Sequence, residues 1–185
     1  MKLSKLLKFI GCFCVLASIL IIMNLYKLKQ DTIQTRKAHS KELELFQLGI
    51  QFEEASDYLT DQSRAFAQFG EQKHYNNYWK EINEKQARQK IILRLEDLDV
   101  SPDELSLLEK ALKASDSLSK LEEVAMNAAK QGDFKTARKL LFDENYVHNK
   151  NIIKGHVRDF QTLVNNDATA LTNTLFNIIE ERSFR

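Results

Sequence analysis

The sequence has very few of the residues that interrupt helices. Among its 185 residues it has one proline, Pro102, and five glycines. Tight turns depend on these two residues, so their scarcity argues against a fold with many short strands. The only cysteines, Cys12 and Cys14, lie close together near the start. The rest of the chain therefore has neither disulfides nor thiol chemistry.

An excess of charge is also absent, because 27 Lys and Arg residues face 26 Asp and Glu residues and leave a net charge of +1. A balanced chain offers no basic surface for nucleic acid, so we predict no nucleic-acid partner. Sequence patterns for a nucleophile elbow, a phosphate loop, a dinucleotide site or a zinc site are missing too. We therefore predict that the protein is not an enzyme and uses neither a cofactor nor a metal.

Histidines and acidic clusters do not change this prediction. The four histidines, at positions 39, 74, 148 and 156, lack metal-ligand spacing, and surface positions explain them. Four acidic residues gather near one helix connection but lack the spacing of a calcium loop, so solvated charges at a turn explain them better. They are Asp97, Asp99, Asp103 and Glu104.

One long apolar run is present, from Phe9 to Tyr26. Eighteen residues without a charge are long enough to cross a bilayer as a helix. Lysines at 2, 5 and 8 precede the run, which places the N-terminus in the cytoplasm by the positive-inside tendency. We predict a cytoplasmic N-terminus at 1–8 and a transmembrane helix at 9–26 in the inner membrane, crossing the lipid bilayer once.

Two alternatives concern this run. A cleaved signal peptide would look similar, but the run is long and no small-residue cleavage site follows Met23. Cys12 and Cys14 within it are small residues packed in a membrane helix, with palmitoylation or an inter-chain disulfide as the alternative.

The remaining chain predicts one extracytoplasmic helical domain over 31–181. Gly70 and Gly132 each follow an apolar helical stretch and mark helix ends. Ser101 and the residues after it have the pattern of a capping box with proline in the first helical position. Asp133 and Asp143 can cap the helices that follow them. These signals divide the domain into helical segments near 31–69, 73–98, 102–131 and 134–181.

Apolar residues in these segments recur at spacings of three and four, which is typical of helices packed lengthwise. The second segment is the least regular. Short connections make successive helices antiparallel, so the fold class is all-α, with the transmembrane helix followed by an up-down-up-down four-helix bundle. The three seams comprise Leu45, Leu48, Phe52, Ala55, Leu59, Gln62, Phe66 and Phe69; Leu107, Ala111, Ala114, Leu118, Leu121, Ala125 and Ala128; and Val157, Phe160, Val164, Ala168, Leu171, Leu175 and Ile178.

A short internal repeat links the first and third segments. Ala55-Ser56-Asp57 recurs as Ala114-Ser115-Asp116, in register with the seam of each helix. Small residues here allow close helix packing while the carboxylates face water or a neighbouring helix. The alternative is that the repeats form polar layers that fix helix register, or that they line a ligand pocket.

Aromatic residues are densest at Tyr75, Tyr78 and Trp79. They are expected to pack the end of the bundle farthest from the membrane. Alternatively, together with Arg64, they wall a small pocket suited to a carboxylate ligand.

Residues from about 40 to 155 resemble the sensor domains of bacterial methyl-accepting chemotaxis receptors and related signal transducers. Four elements carry the resemblance, in the order that the family has them. They are Ser56-Asp57-x-Leu59-Thr60 with Arg64, Phe66 and Gly70; Tyr75-x-x-Tyr78-Trp79-x-Glu81-Ile82; Leu107-Leu108-Glu109 with Ser115-Asp116-x-Leu118 and Leu121-Glu122-Glu123-x-Ala125-Met126; and Gly132-Asp133 with Ala137, Leu140-Leu141-Phe142 and Tyr146.

The resemblance implies a homodimeric sensor that responds to a small molecule or a binding protein and relays the signal to a cytoplasmic output module. Up to Arg185 the sequence lacks the second transmembrane helix and the output region of that family. We therefore expect the sensor portion of a receptor truncated before them. A membrane-anchored bundle that binds partner helices without sensing a ligand is the alternative.

Overall fold

The computed structural model is all-helical over the residues it describes, 2–183. Side chains are described from residue 9 to 174, apart from 10, 12, 31, 171 and 172, and no strand occurs within these ranges. The seam positions Leu171, Leu175 and Ile178, the side chains of 1–8 and that of Cys12 lie outside the described residues. The helices are α1 (Lys2–Phe69), α2 (Gln72–Lys80), a π-helical turn (Glu81–Lys85), α3 (Ala87–Asp97), α4 (Pro102–Lys130), α5 (Phe134–Phe142) and α6 (Glu144–Ser183).

The chain divides into two compact units, Met1–Lys41 and Glu42–Arg185. In the first unit, one helical stretch near the N-terminus is long and apolar enough to cross a membrane, and it is the only such stretch among the residues searched. Its apolar side chains, Leu20 and Ile22 among them, are exposed. A signal sequence at this position would have the same properties.

The second unit has one hydrophobic core. Phe52, Leu59 and Phe66 of α1 are buried there, together with Val157 and Phe160 of α6. These are positions of the predicted first and last seams, whereas Phe69 of the first seam is exposed. Burial of these large side chains is the main favourable term for packing the helices.

The buried stripe of α4 differs from the predicted seam at every second position. Ala111, Leu118 and Ala125 are buried as predicted, but Leu107, Ala114, Leu121 and Ala128 are only half-buried. The residue after each of these four is buried instead. These residues are Leu108, Ser115, Glu122 and Ala129. The prediction was wrong here because it preferred apolar residues to the polar Ser115 and Glu122.

Local side-chain chemistry sets the helix ends. The predicted capping box is confirmed, since the Ser101 hydroxyl accepts from the Glu104 backbone N–H at 3.2 Å and the Glu104 carboxylate accepts from the Ser101 N–H at 2.8 Å. Gly70 and Gly132 have φ of 68° and 89°, the left-handed conformation that glycine adopts most easily. Asp133 caps α5 by accepting from the Thr136 N–H at 3.0 Å.

The predicted helix 73–98 is wrong, because it is interrupted. A π-helical turn follows α2, and Gln86, with φ of 50°, separates this turn from α3. The buried carboxylate of Glu81 accepts the backbone N–H of Ala87 at 3.0 Å and so caps α3 from six residues upstream. A periodicity search cannot detect a cap at this unusual spacing.

The first and last predicted segments also have different bounds. α1 begins at Lys2 rather than near residue 31. The segment 134–181 is divided at Asp143, which is extended and accepts the Tyr146 N–H at 2.7 Å. Asp143 therefore restarts the helix after Phe142, as its sequence position suggests.

Substituting Ser101 by alanine should lower the free energy of unfolding by about 1 kcal/mol, because it removes the hydroxyl that accepts the Glu104 backbone N–H. Urea unfolding of the chain in detergent, followed by fluorescence of its single tryptophan, measures the change. Ser117→Ala, at an exposed position within the same helix, is the control and should change stability by less than about 0.5 kcal/mol. Equal losses in both variants would contradict the assigned cap.

Candidate functional site

The two copies of the Ala-Ser-Asp repeat meet inside the second unit. The hydroxyl oxygens of Ser56 on α1 and Ser115 on α4 are 3.1 Å apart, and both residues are buried. One hydroxyl donates to the other. Such short side chains allow α1 and α4 to approach closely at this level.

Each serine of this pair also binds a buried cation from another helix. The Lys150 ammonium of α6 donates to Ser56 at 3.0 Å, and the Arg88 guanidinium of α3 donates to Ser115 at 2.5 Å. The aspartate next to each serine completes the pattern. Lys150 pairs with Asp57 at 2.8 Å, and Arg88 pairs with Asp116 at 3.2 Å. The repeat thus joins α6, α1, α4 and α3 in one polar layer.

Electrostatics in this layer reflect burial and pairing together. Burial lowers the pKa of Lys150, even though Asp57 and Glu122 favour its charged form. Burial alone would raise the pKa of Asp57, but the hydrogen bonds and charges of Lys150 and Lys154 outweigh it and lower that pKa. Lys154 contacts Asp57 at 3.2 Å and Glu53 at 3.0 Å, and its pKa is raised chiefly by the hydrogen bond to Glu53.

A second polar cluster surrounds the carboxylate of Glu122 on α4, which is 1% exposed. Tyr146 of α6 donates to it at 2.5 Å, Tyr78 of α2 at 3.1 Å and Thr60 of α1 at 3.2 Å. The cluster therefore joins four helices through one acceptor. Burial raises the pKa of Glu122 despite these donors, and burial together with the Glu122 charge raises the pKa of each tyrosine.

A groove of about 280 Å³ between α1 and α6 opens onto both clusters. Lys150, which belongs to the polar layer of the two serines, and Thr60, which binds Glu122, both line this groove. Its full lining is Asp57, Thr60, Asp61, Arg64, Val147, Lys150, Asn151 and Lys154. Three cations and two carboxylates thus surround a small open space.

Arg64 is the cation of this groove that lacks a carboxylate partner among the described residues. Its Nε donates to the backbone oxygen of Leu141 at 3.0 Å. The guanidinium lies over the rings of Phe142 and Tyr146, 4.7 and 4.8 Å from their centroids. These contacts hold the side chain in place, and none of them is an ion pair with a described carboxylate.

Arg64 and the aromatic residues Tyr75, Tyr78 and Trp79, which the sequence predicts to share a pocket, have different neighbours in the structure. The aromatic residues contact one another, at centroid distances of 6.2 Å for Tyr75 and Trp79 and 5.4 Å for Tyr78 and Trp79. None of them lines the groove of Arg64. The reason is the orientation of Arg64, which the backbone and rings of α5 and α6 draw toward those helices.

Sequence reasoning overlooked the buried partners of this site. Arg88 and Lys150 carry no motif, and Glu122 and Tyr146 were treated only as part of the family resemblance. One signal was available, since Ser115 and Glu122 continue the spacing of Leu108, Leu118 and Ala125 in α4. Polar residues at seam positions indicate buried hydrogen bonds.

Comparison with known proteins adds no relative. No protein-family model, curated protein or solved structure matches the chain.

Replacing Glu122 by glutamine tests the buried carboxylate. The folded-state pKa lies above the ordinary value of 4.5, so the stability that protonated Glu122 contributes is full below pH 4.5 and is lost as the pH rises through the raised pKa. We therefore expect the stability of the wild type to fall relative to Glu122→Gln as the pH rises from 4.5 toward 8.

Urea unfolding of both chains across this pH range measures the difference, from which the contributions of other acids largely cancel. Glu123→Gln, an exposed neighbour, serves as the control. A stability difference that is flat with pH, or that grows in favour of the wild type, would contradict the raised pKa.

Proposed function

We propose that this chain is the extracytoplasmic sensor portion of a chemoreceptor-like signal transducer, held in the inner membrane by one N-terminal helix with its N-terminus in the cytoplasm. The apolar stretch of α1 and the lysines before it support the membrane placement. The sequence resemblance over residues 40–155 supports the receptor class.

The proposed fold of the sensor is an antiparallel up-down-up-down four-helix bundle. Its helices are the second-unit part of α1, the pair α2 and α3, then α4, and finally the pair α5 and α6. Short connections at 70–71, 98–101 and 131–133 support this order, because helices joined by a few residues pack as antiparallel neighbours.

The main support for the proposed function is the groove of Arg64, which opens onto the polar layer of the two serines and onto the cluster around Glu122. A partly buried arginine without an acidic partner is suited to binding a carboxylate, and the volume of about 280 Å³ limits the ligand to a small organic acid. The ligand-contacting residues would be Arg64, Lys150 and Lys154, rather than the aromatic residues.

This placement couples ligand binding to helix position. Arg64 belongs to α1, whereas Lys150 and Lys154 belong to α6 and now pair with acids of α1. A bound carboxylate competes with Asp57 for these lysines and changes the contact between the two helices. A shift of α6 relative to α1 in a homodimeric receptor is the signal that the output module receives.

One observation favours the alternative of a helical interaction protein. Leu43, Phe46 and Ile50 of α1 are exposed at helical spacing and form an apolar stripe. Such a stripe suits a helix from a partner protein or from a second copy of the chain. In that case the polar clusters would serve packing alone.

Succinate is a suitable first probe of the groove. The wild-type chain in detergent should show a rise in unfolding temperature that grows with succinate concentration, because a ligand bound only to the folded state stabilises it. Arg64→Gln should abolish most of the rise, since it removes the unpaired charge.

Arg158→Gln is the matched control, at an exposed position of α6 outside the groove. Equal temperature shifts in the wild type and Arg64→Gln, or no shift in the wild type with any small dicarboxylate, would overturn the assignment of ligand binding to Arg64.

The membrane orientation can be tested with two single-cysteine additions. Ser117→Cys, exposed on α4, should react with a membrane-impermeant maleimide on cells whose inner membrane is intact. Ser4→Cys should react only after that membrane is permeabilised, because positions 1–8 are placed in the cytoplasm. The unmodified chain, whose cysteines lie in the apolar run, gives the background. Labelling of both positions on intact cells would contradict the orientation.

A further inference from the structure

A second groove lies on α1, where the π-helical turn and α3 pack against it. It measures about 530 Å³ and shares no lining residue with the groove of Arg64. This volume is within the range of small-molecule sites in proteins. Its lining is Leu48, Gln51, Glu54, Ala55, Tyr58, Glu81, Lys85, Ala87, Lys90, Ile91 and Arg94.

Part of the lining of this second groove is apolar. Leu48 and Ile91 are buried, and Ala55 and Tyr58 are half-buried. Together they present aliphatic and aromatic surface to the space. A ligand with an apolar body would bury that surface on binding.

Three cations, Lys85, Lys90 and Arg94, line this groove together with two carboxylates, Glu54 and Glu81. Lys90 is exposed and has no ion-pair partner among the described residues. Lys85 lies over the Tyr58 ring, 5.3 Å from its centroid, and stands 3.8 Å from the Glu81 carboxylate. Glu81 already accepts the Ala87 N–H, so its charge is shared. The third cation, Arg94, is held by Glu44 at 2.6 Å.

An unusual backbone conformation forms one side of the same groove. Glu81 and Lys85 are the first and last residues of the π-helical turn, and Gln86 with φ of 50° follows directly. π-helical turns are rare and frequently occur at functional sites. The coincidence of this turn with an open groove and an unpaired lysine gives three independent observations at one place.

The geometry points to a binding site for an organic monoanion with an apolar body, such as an aryl-alkyl carboxylate. The carboxylate binds Lys85 and Lys90 at the π-helical turn, and the apolar body lies against Leu48, Ala55 and Tyr58. This inference does not depend on the function proposed above, because the site shares no residue with the groove of Arg64.

Isothermal titration of the full chain in lipid nanodiscs with 4-phenylbutyrate tests the site, with empty nanodiscs as the blank. We expect saturable binding to the wild type. Neutral 4-phenylbutanol should bind about tenfold more weakly, because it lacks the charge that the lysines recognise.

The variant Lys85→Gln/Lys90→Gln should weaken 4-phenylbutyrate binding by about tenfold while leaving 4-phenylbutanol unchanged. Both lysines are exposed, so the fold should persist, and an unchanged unfolding temperature checks this. Lys110→Gln, an exposed lysine of α4, is the matched control.

Three outcomes would overturn the inference. They are no saturable binding of the acid to the wild type, equal acid affinity in the wild type and the double variant, and an equal loss in Lys110→Gln. Because Arg64 is intact in every chain tested, none of these outcomes bears on the succinate experiment.

Discussion

The packing of the second unit depends on ionisable side chains that are buried only where they are hydrogen-bonded. Arg88, Lys150 and Glu122 are each no more than 9% exposed within a helical core. An unpaired charge at such a depth destabilises a protein by several kcal/mol. Each of the three is therefore bound by hydroxyl or carboxylate groups of other helices, and sliding one helix by a turn would separate these partners. Hydrophobic burial drives the helices together, and the register seen in the structure gives each of these buried groups its partners.

Much of the fold follows from local chemistry that a sequence displays directly. The capping box at Ser101 and the left-handed glycines join residues only a few positions apart, so their patterns can be recognised without a structure. The interruption at the π-helical turn could not be predicted. The backbone N–H of Ala87, at the start of α3, is bound by the carboxylate of Glu81 six residues earlier, and this spacing is not a recognised capping pattern. The buried stripe of α4 was predicted wrongly at Ser115 and Glu122. A prediction from hydrophobicity places polar residues at the surface unless their buried partners are known.

The candidate site was harder to predict than the fold, because its contacts span long distances in sequence. Arg64 was singled out as the cation of a pocket for a carboxylate, but the group that orients it, the backbone of Leu141, lies 77 residues away. The Ser56 and Ser115 repeat was visible, yet Lys150 and Arg88 that complete it carry no motif. A residue type can suggest a chemistry, whereas the orientation of the side chain is set by residues that are distant in sequence and close in the fold.

The polar layer joins its four helices through side chains of very different length, with two short serines at the contact between α1 and α4. Because each of these serine side chains is a single hydroxymethyl group, their contact defines the spacing of α1 and α4 narrowly at this level. Lys150 and Arg88 reach the same point through long, rotatable side chains. A displacement of α6 or α3 by a fraction of a helical turn can be absorbed by changes in those rotamers without breaking the polar contact. Motion in this domain is therefore expected mainly at α3 and α6, relative to the pair α1 and α4.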